Sequence, residues 1–244
     1  AKKNEAKKYP AQVVKHITPV ADAFGEFQKD AKELLGKYRE IDPNTMPANF
    51  AEAREKGKQH LDNYQAKSTE LATEQAKGAK ADPKLVTDLT QQRDLSLDEA
   101  IKFFNLAIQL KDAETSLDAV NVVRYFLAYL YYSAAKYHDA AIMGEFLAKN
   151  YPKSAGARHG AKSALAGHLA NYNFSTPDNR EWDAEQMVRV AQLITKNWEG
   201  EPEADEAWMM LGQIAIKEQA LAQAAKSLAN IAENSPRRAD ADLQ

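Results

Sequence analysis

The sequence contains no cysteine. That removes disulfides, thiolate metal ligands and thiol nucleophiles together. No apolar run approaches the ~18 residues that a membrane-spanning helix needs. Charge of one sign is also missing. The net charge is −3 over 244 residues, and neither half carries the basic excess of a nucleic-acid binder. The signatures GxxxxGK[ST], GxGxxG, GxSxG and HExxH do not occur. The histidines, His16, His60, His138, His159 and His168, include no i, i+4 pair, so no metal or cofactor is expected. Carboxylates are plentiful but form no distinctive pair. The chain starts at Ala1 rather than Met, which reads as a processed form or an excised piece and leaves a removed leader open.

What is present is helical periodicity. Residues 1–9 read as a solvated basic tail. Thr18 can cap a helix whose first position suits Pro19. Val20, Phe24, Phe27, Ala31, Leu34, Tyr38 and Ile41 then recur at intervals of four and three, one face of a long helix that ends at Asp42-Pro43. A second long helix is expected over 50–77, with a weak seam at Phe50, Gly57, Leu61, Tyr64 and Leu71 that suggests marginal packing. A third is expected over 84–93. Ser96 and Glu99 have capping-box spacing, so a fresh helix is expected over 97–111. These features suggest an N-terminal long-helix hairpin or bundle over 1–95 and a second domain over 96–244.

Residues 121–152 organise the second domain. Two amphipathic helices meet there at a break near Ala135–Lys136 and stop at Pro152. A third and fourth helix are expected over 155–172 and 182–198, joined by the loop 173–181. Most of this copy's excess length is assigned to that loop and to residues 199–202. Trp208, Leu211, Gly212, Ala224 and Pro236 close the series. Pro202 lies 34 residues before Pro236.

That pattern resembles the tetratricopeptide repeat, with its W-x2-L-G-x2-Y, A-x3-F and P at a period near 34. Leu127, Ala128, Tyr131, Ala140 and Pro152 fit the same register. The resemblance implies an all-α, right-handed solenoid of helical hairpins, a fragment of a longer array. Small residues at Ala128, Ala140, Gly212 and Ala224 would let paired helices approach closely. The string 146–157 also resembles repeats of bacterial cell-envelope proteins such as the TolA-binding protein, which leans the localisation towards a bacterial periplasm or envelope.

In this family the first helix of each pair lines a concave groove. The register then puts Tyr125, Tyr129, Tyr132, His159, Ser163, Met209 and Gln213 in partner-facing places, while Tyr131 faces the paired helix. Tyrosine suits interfaces because it is large, stiff and amphipathic. A packed stripe against the preceding helices is the competing reading. Trp182 and Trp198 read as core rather than as platforms for sugar or peptide. The expected function is a non-enzymatic scaffold that binds a partner peptide or helix. Self-association through the N-terminal helices and a carbohydrate-active enzyme using groove carboxylates are the alternatives.

Overall fold

A computed structural model describes residues 46–244 throughout, save the side chains at 177 and 178, and residues 13, 16–21, 27–31 and 34 before them. Among the described residues the protein is helical, with no strand. It divides into two units, 1–46 and 47–244.

In the first unit residues 16–21 are helical, so Thr18 lies within a helix instead of capping one. Phe27 sits in a turn before helical residues 28–31, which interrupts the single long helix expected from Pro19. Ala21 and Ala31 are buried together, with Ile17 against them. The small residues thus take the buried places, while Val20, Phe27 and Leu34 stay exposed. Phe24, Tyr38, Ile41 and the basic tail lie outside the described residues.

The second unit opens with α1 (Phe50–Gln75). Its start is fixed by Asn49, whose Oδ1 accepts from the Glu52 amide at 3.0 Å. Glu52 in turn accepts from the Ala48 amide at 2.9 Å. The first bond satisfies one of the amides that a helix start leaves open, and the second ties down the residue before the cap. A 3-10 turn, Gly78–Lys80, leads to α2 (Pro83–Gln109). Asp82 caps α2 by accepting from the Lys84 amide at 2.9 Å, and Pro83 takes the first position.

α2 runs straight through Ser96, where a fresh start was expected. The Ser96 hydroxyl donates back to the Gln92 carbonyl at 2.8 Å, the mid-helix option open to serine. α2 also runs through residues 95 and 96, where the domain boundary was placed. α1 packs closely on α2. A Cβ on Gly57 would stand 2.7 Å from the Phe104 ring, so the glycine lets that fully buried ring lie against the α1 backbone. Phe50, Ala53 and Leu61 of α1, Ile101 and Phe104 of α2, and Val123, Leu127 and Leu130 of the next helix share one core. Each large side chain there contributes about 1.5–3 kcal/mol.

Three helical pairs follow. α3 (Leu117–Ser133) and α4 (Tyr137–Asn150) are joined by a tight reversal in which Ala135 has φ +56°. Lys136 N–H donates to Tyr131 at 2.8 Å and Ala135 N–H to Tyr132 at 3.0 Å, the Schellman pattern. α7 (Pro202–Lys217) and α8 (Leu221–Ala229) repeat it, with Gln219 at φ +61° and Ala220 N–H donating to Ala215 at 2.8 Å. A short α9 (Arg238–Asp242) follows.

The middle pair differs. α5 (Ala157–Phe174) and α6 (Pro177–Asn197) are separated only by Ser175 and Thr176. The expected nine-residue loop is mostly helix, because Thr176-Pro177 starts α6 five residues before Trp182. The extra length of this copy therefore sits in longer helices. Gly144 of α4 crosses Gly160 of α5, and a Cβ on Gly144 would overlap the Gly160 carbonyl oxygen. Alternate helices also touch: α3 with α5, α5 with α7, and α4 with α6.

Candidate functional site

The tyrosine stripe of α3 reaches three different neighbours. The Tyr129 ring stands 6.5 Å edge-on to Tyr64 of α1. Tyr125 lies over Gly156 and 5.9 Å from the His159 ring. Burial pushes both phenols above their ordinary value, as expected at a core edge. Tyr132 is exposed and meets Tyr137 at 5.6 Å. Tyr131 turns the other way from its expected place. Its hydroxyl exchanges hydrogen bonds with the Asn105 side chain at 3.0 and 3.1 Å, so it packs on α2.

The remaining expected contacts separate as well. His159 Nδ1 is 3.0 Å from Glu203 Oε1, and Arg158 pairs with both Glu201 and Glu203. These links tie α5 to the start of α7. Ser163 donates to the His159 carbonyl at 3.1 Å and so serves its own helix. Met209 is a correction: it is 7% exposed and packs with Leu228, Ile231 and Ala241. Its neighbour Met210 and Gln213 line a groove instead.

That groove has a volume of about 510 Å³ and lies among α5, α6 and α7. Leu169, Met187, Met210 and Ile214 supply apolar surface. Arg180, Lys217, Glu181 and Glu218 supply charge of both signs. Tyr172 stands between Arg180, 5.8 Å from its centroid, and Lys217 at 4.9 Å. Lys217 also bonds the Tyr172 hydroxyl. This is an amphipathic trough whose methionines adapt to irregular apolar shapes.

Behind it a charged cluster binds α4, α5 and α6. Glu145 accepts from Arg189 at 2.9 Å and pairs with Lys149 at 3.1 Å. His168 Nε2 is 3.7 Å away, too long for a good hydrogen bond. Burial lowers the His168 pKa below its ordinary value, against the pull of Glu145. For Glu145, burial pushes upward, but the Lys149 hydrogen bond and the Arg189, Lys149 and His168 charges outweigh it and hold the carboxyl low. Among the described residues no group of three or more His, Asp or Glu side chains is placed to hold a metal ion.

Comparison with protein-family models, with curated proteins and with solved structures finds no match. Function therefore rests on surface chemistry. Sequence reasoning missed Leu169, Met187, Met210 and Ile214. The signal that would have found one of them is helical spacing: Met187 lies three, four and seven residues before Val190, Ala191 and Ile194, in phase with them on α6.

Proposed function

We propose that this chain is a non-enzymatic scaffold that holds an amphipathic helix or extended peptide of a partner protein in the α5–α6–α7 groove. One observation carries the reading: an open trough of leucine, isoleucine and methionine edged by charges of both signs. Such a surface favours a ligand with apolar anchors and a charged border. The stacked-hairpin, tetratricopeptide-like arrangement is part of the proposal. Contacts of α3 with α5, α5 with α7, and α4 with α6 support it, as do the matching turns at Ala135 and Gln219.

Panning a displayed random-peptide library against the chain tests this. The expected ligands carry two or three apolar residues at helical spacing. Fluorescence anisotropy should show Leu169→Glu and Met210→Glu weakening them about tenfold or more, the equivalent of about 1.4 kcal/mol, with helicity unchanged. Failure to enrich any peptide, or affinity indifferent to both variants, contradicts the proposal.

Self-association has one observation in its favour: Val20, Phe27 and Leu34, seven residues apart, are all exposed. The turn at Phe27 keeps that seam from forming one straight coiled-coil helix. Sedimentation equilibrium separates a monomer from a dimer.

A further inference from the structure

A second cleft, of about 510 Å³, opens where α5 ends and α6 begins. Its residues on α6 are Asn179, Trp182 and Asp183, whereas Arg180, Glu181 and Ala184 line the peptide groove. Two aromatic rings are unusually open here: Phe174 is 78% exposed and Trp182 52%. Trp198, at the far end of α6, packs into the core instead, so the two tryptophans have different roles. Phe174 does not hang free. Tyr137 stacks on it at 6.0 Å with the planes 9° apart. That contact holds a ring that water would otherwise leave loose.

The polar side of the cleft is equally specific. Asp183 is only 5% exposed, yet it lines the cleft. Ser175 donates to its carboxylate and so orients it. Asn171 and Asn179 also line the cleft, and each amide offers two donors and an acceptor. Among the described residues His138 also lines the cleft and adds a hydrogen-bonding edge, but no lysine or arginine does, so there is no permanent cation to hold a phosphate or other anion.

We propose that this cleft binds a neutral pyranose sugar. The apolar face of the ring stacks on Trp182 and Phe174, and the hydroxyls bond to Asn171, Asn179 and Asp183. The chemistry matches a ligand that is apolar on one face and rich in donors and acceptors on its edge. A quaternary ammonium fits less well, because it needs several ring faces around it and Tyr137 covers one face of Phe174. Hydrolysis is not part of the proposal, since glycosidases need two carboxylates and, among the described residues, Asp183 alone supplies one to this cleft.

The test is saturation-transfer NMR on the full chain with maltotriose, cellotriose and triacetylchitotriose, and with choline for comparison. The expected result is saturation of ring protons in at least one of the three sugars and none in choline. Trp182→Ala should weaken that sugar about tenfold or more, while Trp182→Phe keeps most of the affinity. Position 182 is exposed, so circular dichroism and the thermal midpoint should stay unchanged in both variants. Leu169→Glu, in the peptide groove, should leave sugar binding intact. Binding of none of the sugars, binding of choline in preference, or equal affinity in Trp182→Ala overturns the proposal.

Discussion

The outer pairs, α3–α4 and α7–α8, and the middle pair, α5–α6, solve the same problem differently. Each outer pair reverses through a non-glycine residue with positive φ, Ala135 or Gln219, closed by the same backbone hydrogen bonds. The middle pair reverses through Ser175-Thr176 and a proline-led helix. It also runs longer, and both the apolar groove and the aromatic cleft lie along it. Exposed apolar side chains occur in both kinds of pair, Ile142 and Leu221 among those of the outer ones. What sets the irregular pair apart is that its exposed Leu169, Phe174 and Trp182 line hollows.

The largest expected effect breaks the middle pair's anchorage. Gly144→Ala forces a methyl onto the Gly160 carbonyl, a backbone atom that cannot swing aside. It should destabilise the chain by about 3 kcal/mol. The matching change in an outer pair, Gly212→Ala, meets only the Leu228 side chain at 2.6 Å, and about 1 kcal/mol is expected. Urea midpoints for the two variants check the contrast.

The turns should respond in opposite directions. Ala135→Gly and Gln219→Gly relieve left-handed strain and should each stabilise by about 1 kcal/mol. Ser175→Gly has no such strain to relieve, since Ser175 sits at φ −67°, and it loses the bond to Asp183. About 1 kcal/mol of destabilisation is expected there. Thermal midpoints would show this as a rise for two variants and a fall for the third.

Acid tests the charged cluster that ties the middle pair to α4. His168 is held below its ordinary value of 6.5, so the unfolded chain takes the proton more readily. Stability should therefore fall as pH drops below about 6.5. Glu145 is also held below its ordinary value, 4.5. Its stabilisation is full above that value and is lost as pH falls through the lower folded one. His168→Leu should flatten the first part of this decline. Identical slopes between pH 7 and 5 for the two proteins would count against the assignment. The smallest effect is Tyr132→Ala, at an exposed ring, expected within about 0.5 kcal/mol by urea denaturation.

Much of the fold was legible because apolar spacing and capping chemistry are local. The break at Ala135–Lys136 and the ends of α1 and α5 follow from such signals to within two or three residues. The capping box was read at the wrong place. Ser96 and Glu99 have the spacing, but strong helix formers on both sides carry α2 through them, whereas Asn49 and Glu52 cap a real start. The site was less legible, since it depends on which face of a helix ends up covered. Met209 and Met210 differ by 100° around α7, and no local pattern decides which one meets α8. Trp182 looks like core from its type alone. It is 52% exposed and lines a cleft, a placement set by tertiary packing rather than by residue type.

The most direct test of the account is hydrogen–deuterium exchange on the chain with and without a groove-selected peptide. The account predicts slowed exchange along residues 169–187 and 210–218, with the α3–α4 pair unchanged. Protection centred on residues 125–132 instead would move the binding surface to the tyrosine stripe and contradict it.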